Sequence, residues 1–295
     1  MIKRQIENRS SRTAAYTCFS RGCATRERDL RFRGPDNMAE LLFPPLAKII
    51  LNITPLRRLF LHTMVPPGIY EYVLARTKVM DDAFLEALDV PFEQIILLGA
   101  GFDTRALRFT KNNHGTKIFE LDAPSTQQPK IKIFQKRRLN IPPELVFVPI
   151  DFNRENIFDV LSNAGFQSAK KCLFLWEGVT MYLRPQAVDD TLEFIRLHST
   201  SGSRVVFDYI DASVLRKENR LYGEKEIFDS ISKTGEIWTF GMEQEEVEPF
   251  LNRRGFNIID LYTPADLERK YLKREDGTLF GHINGTHCIV NACVK

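Results

Sequence analysis

Five short segments carry residues able to do chemistry, and each follows an apolar run. The first, Gly99-Ala100-Gly101-Phe102-Asp103-Thr104-Arg105, comes directly after the run 94–98 (QIILL). Two glycines allow a tight turn and close approach of a ligand. A dinucleotide loop would carry a third glycine where Thr104 stands, and Asp103 would repel a diphosphate, so a cationic ligand suits the loop better. A plain strand-to-helix turn with a capping Asp103 is the other reading. In the second segment, Glu120 and Asp122 lie about 20 residues further on, where an acid can accept both hydroxyls of a ribose. The two share strand parity, so both could face a cleft, or one could be solvated.

Asp151 and Phe152 form the third segment, an acid–aromatic pair fit for the amine and ring face of an adenine; alternatively, Asp151 caps the helix near Ile157. The fourth, 175–183 (LWEGVTMYL), holds Glu177 inside an apolar stretch. Burying that charge without a partner is costly, which points to a ligand contact or a buried ion pair. Asp208 follows in Phe207-Asp208-Tyr209. Upstream, Arg76 could grip a ligand carboxylate through two parallel hydrogen bonds, or pair with Asp81 about one helical turn away.

The elements that must position these residues read as alternating strands and helices. Runs at Gln94–Leu98, Lys117–Leu121, Leu145–Pro149, Cys172–Trp176 and Arg204–Ile210 predict strands buried on both faces. Helices are expected at Tyr70–Leu88, Ile157–Ala164 and Pro185–His198, with apolar helical stretches near Met38–Leu51 and Leu56–Met64. The alternation predicts an α/β fold with a mainly parallel sheet. Phe256–Tyr262 and Thr286–Val294 would close it as an antiparallel pair without a helix between them. Residues 1–90 are expected to form an N-terminal helical cap, and residues 91–295 the ligand-binding domain. A charged, helical insertion over Asp211–Gly255 would roof the site.

The 295 residues are 43% hydrophobic and 27% charged, a globular balance that excludes collagen-like and largely disordered chains. Lys+Arg 41 against Asp+Glu 38 leaves a net charge of +3, too little to argue for nucleic acid. The basic clusters Lys130–Lys132, Lys136–Arg138 and Arg253-Arg254 read as solvated faces. Cys18, Cys23, Cys172, Cys288 and Cys293 show no metal-ligand spacing, and their odd number argues against a disulfide framework, so a reducing, cytoplasmic setting is expected. The apolar run Leu41–Ile53 is too short to span a bilayer, and neither a membrane nor a metal partner is expected.

ARTKVMDD, ILLGAGFDTRALRF, FELDAP and LFLWEGVTMYL, in this order and spacing, resemble the leucine carboxyl methyltransferase family of S-adenosylmethionine-dependent O-methyltransferases. The resemblance implies a Rossmann-like class I methyltransferase fold whose last strand is antiparallel. It implies that Arg76 binds the methionine carboxylate, Gly99 and Gly101 line the cofactor, and Asp122 holds the ribose. Asp151 and Phe152 would contact adenine, Glu177 would sit near the amino group, and Tyr182 would face the methyl. A second basic residue on the carboxylate would be Arg12 or Arg21.

The expected reaction is methyl transfer to a carboxylate or hydroxyl acceptor, a small metabolite. Carboxyl methylation of a protein C-terminus and NAD(P)-dependent oxidoreduction are the alternatives. None of His62, His114, His198, His282 and His287 sits in a motif that marks a general base, so each reads as a surface or packing residue.

Overall fold

The computed structural model describes residues 12–295 apart from 91, 153 and 235. Helices α1 (Arg12–Ala24), α2 (Pro45–Asn52), α3 (Thr54–Met64) and α4 (Ile69–Asp89) precede a seven-stranded sheet. Its strands are β1 (Gln94–Leu98), β2 (Lys117–Asp122), β3 (Leu145–Pro149), β4 (Cys172–Trp176), β5 (Arg204–Ile210), β6 (Phe256–Tyr262) and β7 (His287–Val294). They lie in the order β3-β2-β1-β4-β5-β7-β6. Strands β1 to β5 pair in parallel, and β7 runs antiparallel to both β5 and β6. Strand order reverses between β1 and β4, and the crevice beyond their carboxyl ends is where such sheets hold ligands.

Every residue of β1 is buried because both faces of the sheet are covered. Alternation sends Ile95 and Leu97 to one face and Ile96 and Leu98 to the other. The first face packs on Cys18, Phe19, Leu51, Tyr72 and Phe84, all from the first 90 residues, so the expected cap shares one core with the sheet. Against the second face pack Leu161, Leu192 and Leu251 from α5 (Ile157–Asn163), α6 (Pro185–His198) and α7 (Gln244–Arg253).

Three stretches depart from expectation. The segment 38–51 is divided: a single turn at 39–42 ends at Phe43, and helix resumes only at Pro45, because a residue before proline is pushed out of helical geometry. The stretch 211–255 holds a short turn of helix at 213–216, a helix at 224–234, an extended strap at 236–243, and α7. Helix α7 buries Val247 and Leu251 in the second core, so it completes the regular alternation ahead of β6. Between β6 and β7 the chain forms a short helix at 264–267 with a Thr263/Asp266 capping box. Among the described residues no helix is long and apolar enough to cross a membrane.

Candidate functional site

A chain of alternating buried charges runs across the carboxyl ends of the strands. Arg21 of α1 pairs with Asp36 at 2.9 Å, and Asp36 also meets Arg108 at 3.5 Å. Arg108 and Arg105 share Asp81, at 2.7 and 2.8 Å. Arg105 further binds Asp103 and, at 2.9 Å, Glu177. Glu177 then meets Arg76 at 3.0 Å, and Arg76 meets Asp208 at 2.6 Å. No side chain in this chain of pairs is more than 13% exposed. Five carboxylates thus meet four guanidiniums. An unpaired charge here would cost several kcal/mol, roughly 3–5 when one partner is removed.

Local sequence explains the pairings. Tyr72 and Arg76 stand four residues apart on one face of α4, and both reach Asp208: the Tyr72 hydroxyl donates to it at 2.9 Å. Asp81 is five residues beyond Arg76, about 140° around the helix, so it faces Arg105 and Arg108 instead. The surface Arg76–Asp81 pair that spacing allows does not form. Burial would raise the Glu177 pKa, but the guanidiniums of Arg105, Arg76 and Arg21 outweigh it and hold the carboxyl down to about 2. Glu177 Oε1 and Arg76 Nε are buried, and among the described residues neither has a well-aligned hydrogen bond despite their ion-pair contact.

The glycine loop passes beside this chain. Gly99 has φ +69°, and a Cβ there would stand 2.6 Å from Val179 Cγ2, which only glycine avoids. The Gly101 amide donates to Asp122 Oδ2, and the Ala123 amide to Oδ1 at 2.6 Å. Asp122 is therefore fixed at the end of β2 with its carboxylate toward the loop; burial raises its pKa and the two amides oppose that rise. Glu120 does not join it. Glu120 is fully buried, its Oε2 2.6 Å from Lys130 Nζ, and burial pushes its carboxyl up to about 7. Lys130 is accordingly a core residue and not part of a solvated face.

At the end of β3 the Asp151 amide donates to Glu155 at 2.7 Å, and Phe152 packs half-buried on the second core. Asp151 does not cap α5: Asn156 does, accepting from the amides of Phe158 and Asp159. Arg21 is buried and donates to the Phe102 carbonyl at 2.6 Å, beside the glycine loop. The Arg12 side chain lies outside the described residues.

Tyr182 ends a single turn after β4 and stands edge-on to Trp238, ring centroids 6.2 Å apart. The strap is pinned over it, since Thr239 donates from its amide to Met181 O at 2.7 Å and from its hydroxyl to Leu183 O at 2.7 Å. Glu236 on the strap accepts from Thr13 of α1. Burial and then the charge of Glu236 push the Tyr182 hydroxyl well above the usual phenol range. Phe240 turns away into the second core against Phe250. Of these two strap aromatics, only Trp238 stands beside Tyr182.

His287, at the start of β7, completes the aromatic wall. Its ring lies 4.6 Å from that of Tyr72 and 5.7 Å from that of Trp238. Burial and then the charge of Arg76 hold its pKa down to about 3, so the ring is neutral at physiological pH. No local motif announces it; only the pairing of β7 with β5, which sets His287 opposite Ile210, brings it here.

The family model of leucine carboxyl methyltransferases matches residues 19–196. The chain belongs to that family. It is an S-adenosylmethionine-dependent methyltransferase, and the sheet order with its one reversed strand is that of the Rossmann-like class I fold. It is similar to "Putative S-adenosyl-L-methionine-dependent methyltransferase YktD" of Bacillus subtilis (strain 168), 27% identical over 218 residues that cover 73% of this chain and 71% of that one. A protein of the same description from Mycobacterium tuberculosis (strain ATCC 25177 / H37Ra) is 29% identical over 210 residues, covering 68% of this chain and 66% of that one. Among solved structures, magnesium protoporphyrin IX methyltransferase (ChlM) from Synechocystis PCC 6803, with bound SAH, aligns at 9% identity and a TM-score of 0.46 over 85% of this chain and 98% of that one. The matched span 19–196 includes the glycine loop, Asp122, Glu177 and Tyr182, but stops short of Asp208, the strap and His287.

Proposed function

We propose that this methyltransferase carries a methyl group from S-adenosylmethionine to a carboxylate or hydroxyl of a small-molecule acceptor. S-adenosylmethionine supplies an activated sulfonium methyl, so the chain's task is to bind, align and keep water away. The observation that carries this reading is the excess of carboxylates in the buried chain of charges. Together with Asp122, that excess favours a cationic ligand and would repel the diphosphate of a nicotinamide cofactor.

The residues fit the group. Asp122 would take the ribose hydroxyls, and Asp151 and Phe152 the adenine. Glu177, whose buried Oε1 accepts no well-aligned hydrogen bond among the described residues, would accept from the amino group, and Arg76, whose Nε donates none, would serve the carboxylate beside Gly99 and Gly101. Tyr182, held neutral under the strap, would line the methyl's path.

Isothermal titration tests the reading. S-adenosylmethionine should bind the wild type, and Asp122→Ala should weaken binding at least about tenfold, because two charge-assisted hydrogen bonds are lost. Binding of NADPH with none of S-adenosylmethionine would overturn it.

A further inference from the structure

We propose that His287 Nε2 is the base that accepts the proton of an aromatic hydroxyl acceptor, an inference that rests on the methyltransferase reading above. It starts from a hydrogen-bond chain that leaves His287 one tautomer. Asn284 Nδ2 donates to the Pro67 carbonyl at 2.9 Å, and Asn284 Oδ1 accepts from the Thr286 amide at 3.2 Å, which fixes the orientation of that side-chain amide. Asn284 Oδ1 also lies 2.6 Å from the Thr286 hydroxyl, so the hydroxyl must spend its proton there. Thr286 Oγ1 can then only accept from His287 Nδ1, 2.8 Å away. Nδ1 carries the ring's single proton, and Nε2 is left with a bare lone pair. Among the described residues Nε2 has no hydrogen-bond partner, and it is not among the fully buried polar atoms that lack one.

The surroundings select the acceptor. Trp238 and Tyr182 line the same wall with ring faces and edges suited to an aryl group, backed by the buried ring of Tyr72. Trp238 Nε1 is buried and faces the Tyr182 hydroxyl, whose pKa it lowers as a donor. A carboxylate acceptor finds poorer company: Arg76 is already shared between Glu177 and Asp208, and is assigned above to the methionine carboxylate. The Tyr72 hydroxyl is committed to Asp208 and cannot serve as the base.

The step balances simply. The acceptor oxygen's lone pair forms the O–CH3 bond while the donor's C–S bond breaks, its electron pair staying on sulfur. As the O–CH3 bond forms, the hydroxyl becomes a far stronger acid than a free phenol, so its proton passes to Nε2 although burial and Arg76 keep the ring neutral at rest, and the imidazolium then releases it to solvent.

Nitrogen-15 NMR of histidine-labelled full-length protein tests the tautomer without requiring turnover. The spectrum should contain a neutral histidine protonated on Nδ1, and that signal should disappear in His287→Asn. With S-adenosylmethionine present, 2-naphthol should shift its Nε2 resonance, while 2-naphthoate should not. In a radiolabelled methyl-transfer assay, His287→Asn, which keeps a donor toward Thr286, should lose about 100-fold in naphthol methylation while S-adenosylmethionine affinity holds. An Nε2–H tautomer, an unmoved Nε2 resonance, or unchanged naphthol methylation in the folded variant overturns the role alone. A wild type that binds no S-adenosylmethionine overturns the methyltransferase reading beneath it.

Discussion

Lys130 and Glu120 show how much a single side chain depends on its burial. A lysine flanked by Lys132 and Lys136 in the sequence invites a surface reading, yet this one is fully buried on Glu120. Lys130→Ala should destabilise the protein by about 3–5 kcal/mol in urea titration, because the carboxylate is left buried and unpaired. Replacing both, Glu120→Gln with Lys130→Met, should recover most of that loss; equal losses would show that the pair contributes nothing as a pair. Glu177, Asp122 and the glycines were legible because charge and glycine after an apolar run are unusual. His287 was not, since it sits in an ordinary strand and gains its meaning from Thr286, Asn284 and the distant Tyr72.

Elements with a strong period are legible in the sequence. Strands β1, β3, β4 and β5 and helix α6 fall at the expected residues, and α4 extends one residue past each expected end. The helix at 124–136 is hidden in the sequence because Pro129 lies inside it and its apolar residues are few, so neither propensity nor pattern announces it. Asp211–Gly255 misled in the other direction, since charge-rich sequence hides the buried stripe of α7. Turn geometry yields a test at the element scale. Gly178, just after β4, has φ +70°, and an added Cβ would lie 3.3 Å from Arg76 Nη1. Gly178→Ala should cost about 1–2 kcal/mol from left-handed strain. It should also weaken S-adenosylmethionine binding by crowding Arg76, which thermal unfolding with and without ligand would separate. A variant as stable as wild type would refute the strain argument.

For the whole molecule, the buried chain of charges ties α1, α4, the glycine loop, β4 and β5 into one electrostatic unit. Its acid response follows from Glu177. A carboxyl that titrates near 2 when folded, against an ordinary value of 4.5, stabilises the fold fully above about 4.5 and loses that contribution as pH falls toward 2. Urea titrations should therefore show wild-type stability dropping over this interval, and Glu177→Gln, less stable at neutral pH, should drop less steeply. Parallel slopes in the two proteins would assign the acid sensitivity elsewhere. The neutral state of buried His287 adds in the same direction between about 6.5 and 3, because the unfolded ring takes up a proton that the folded one refuses.

The place of β7 has a consequence for how the chain is made. Among the described residues β6 pairs with no strand but β7, and β7 is the later of the two to be synthesised. While translation proceeds, β1 to β5 can assemble side by side, but β6 has no partner until residues 287–294 have emerged. A nascent chain thus holds the glycine loop, Asp122 and Glu177 before it holds Thr286 and His287. The end of the site proposed to hold the methyl donor exists first, and the end proposed to take the acceptor's proton is added later, when β7 slides between β5 and β6.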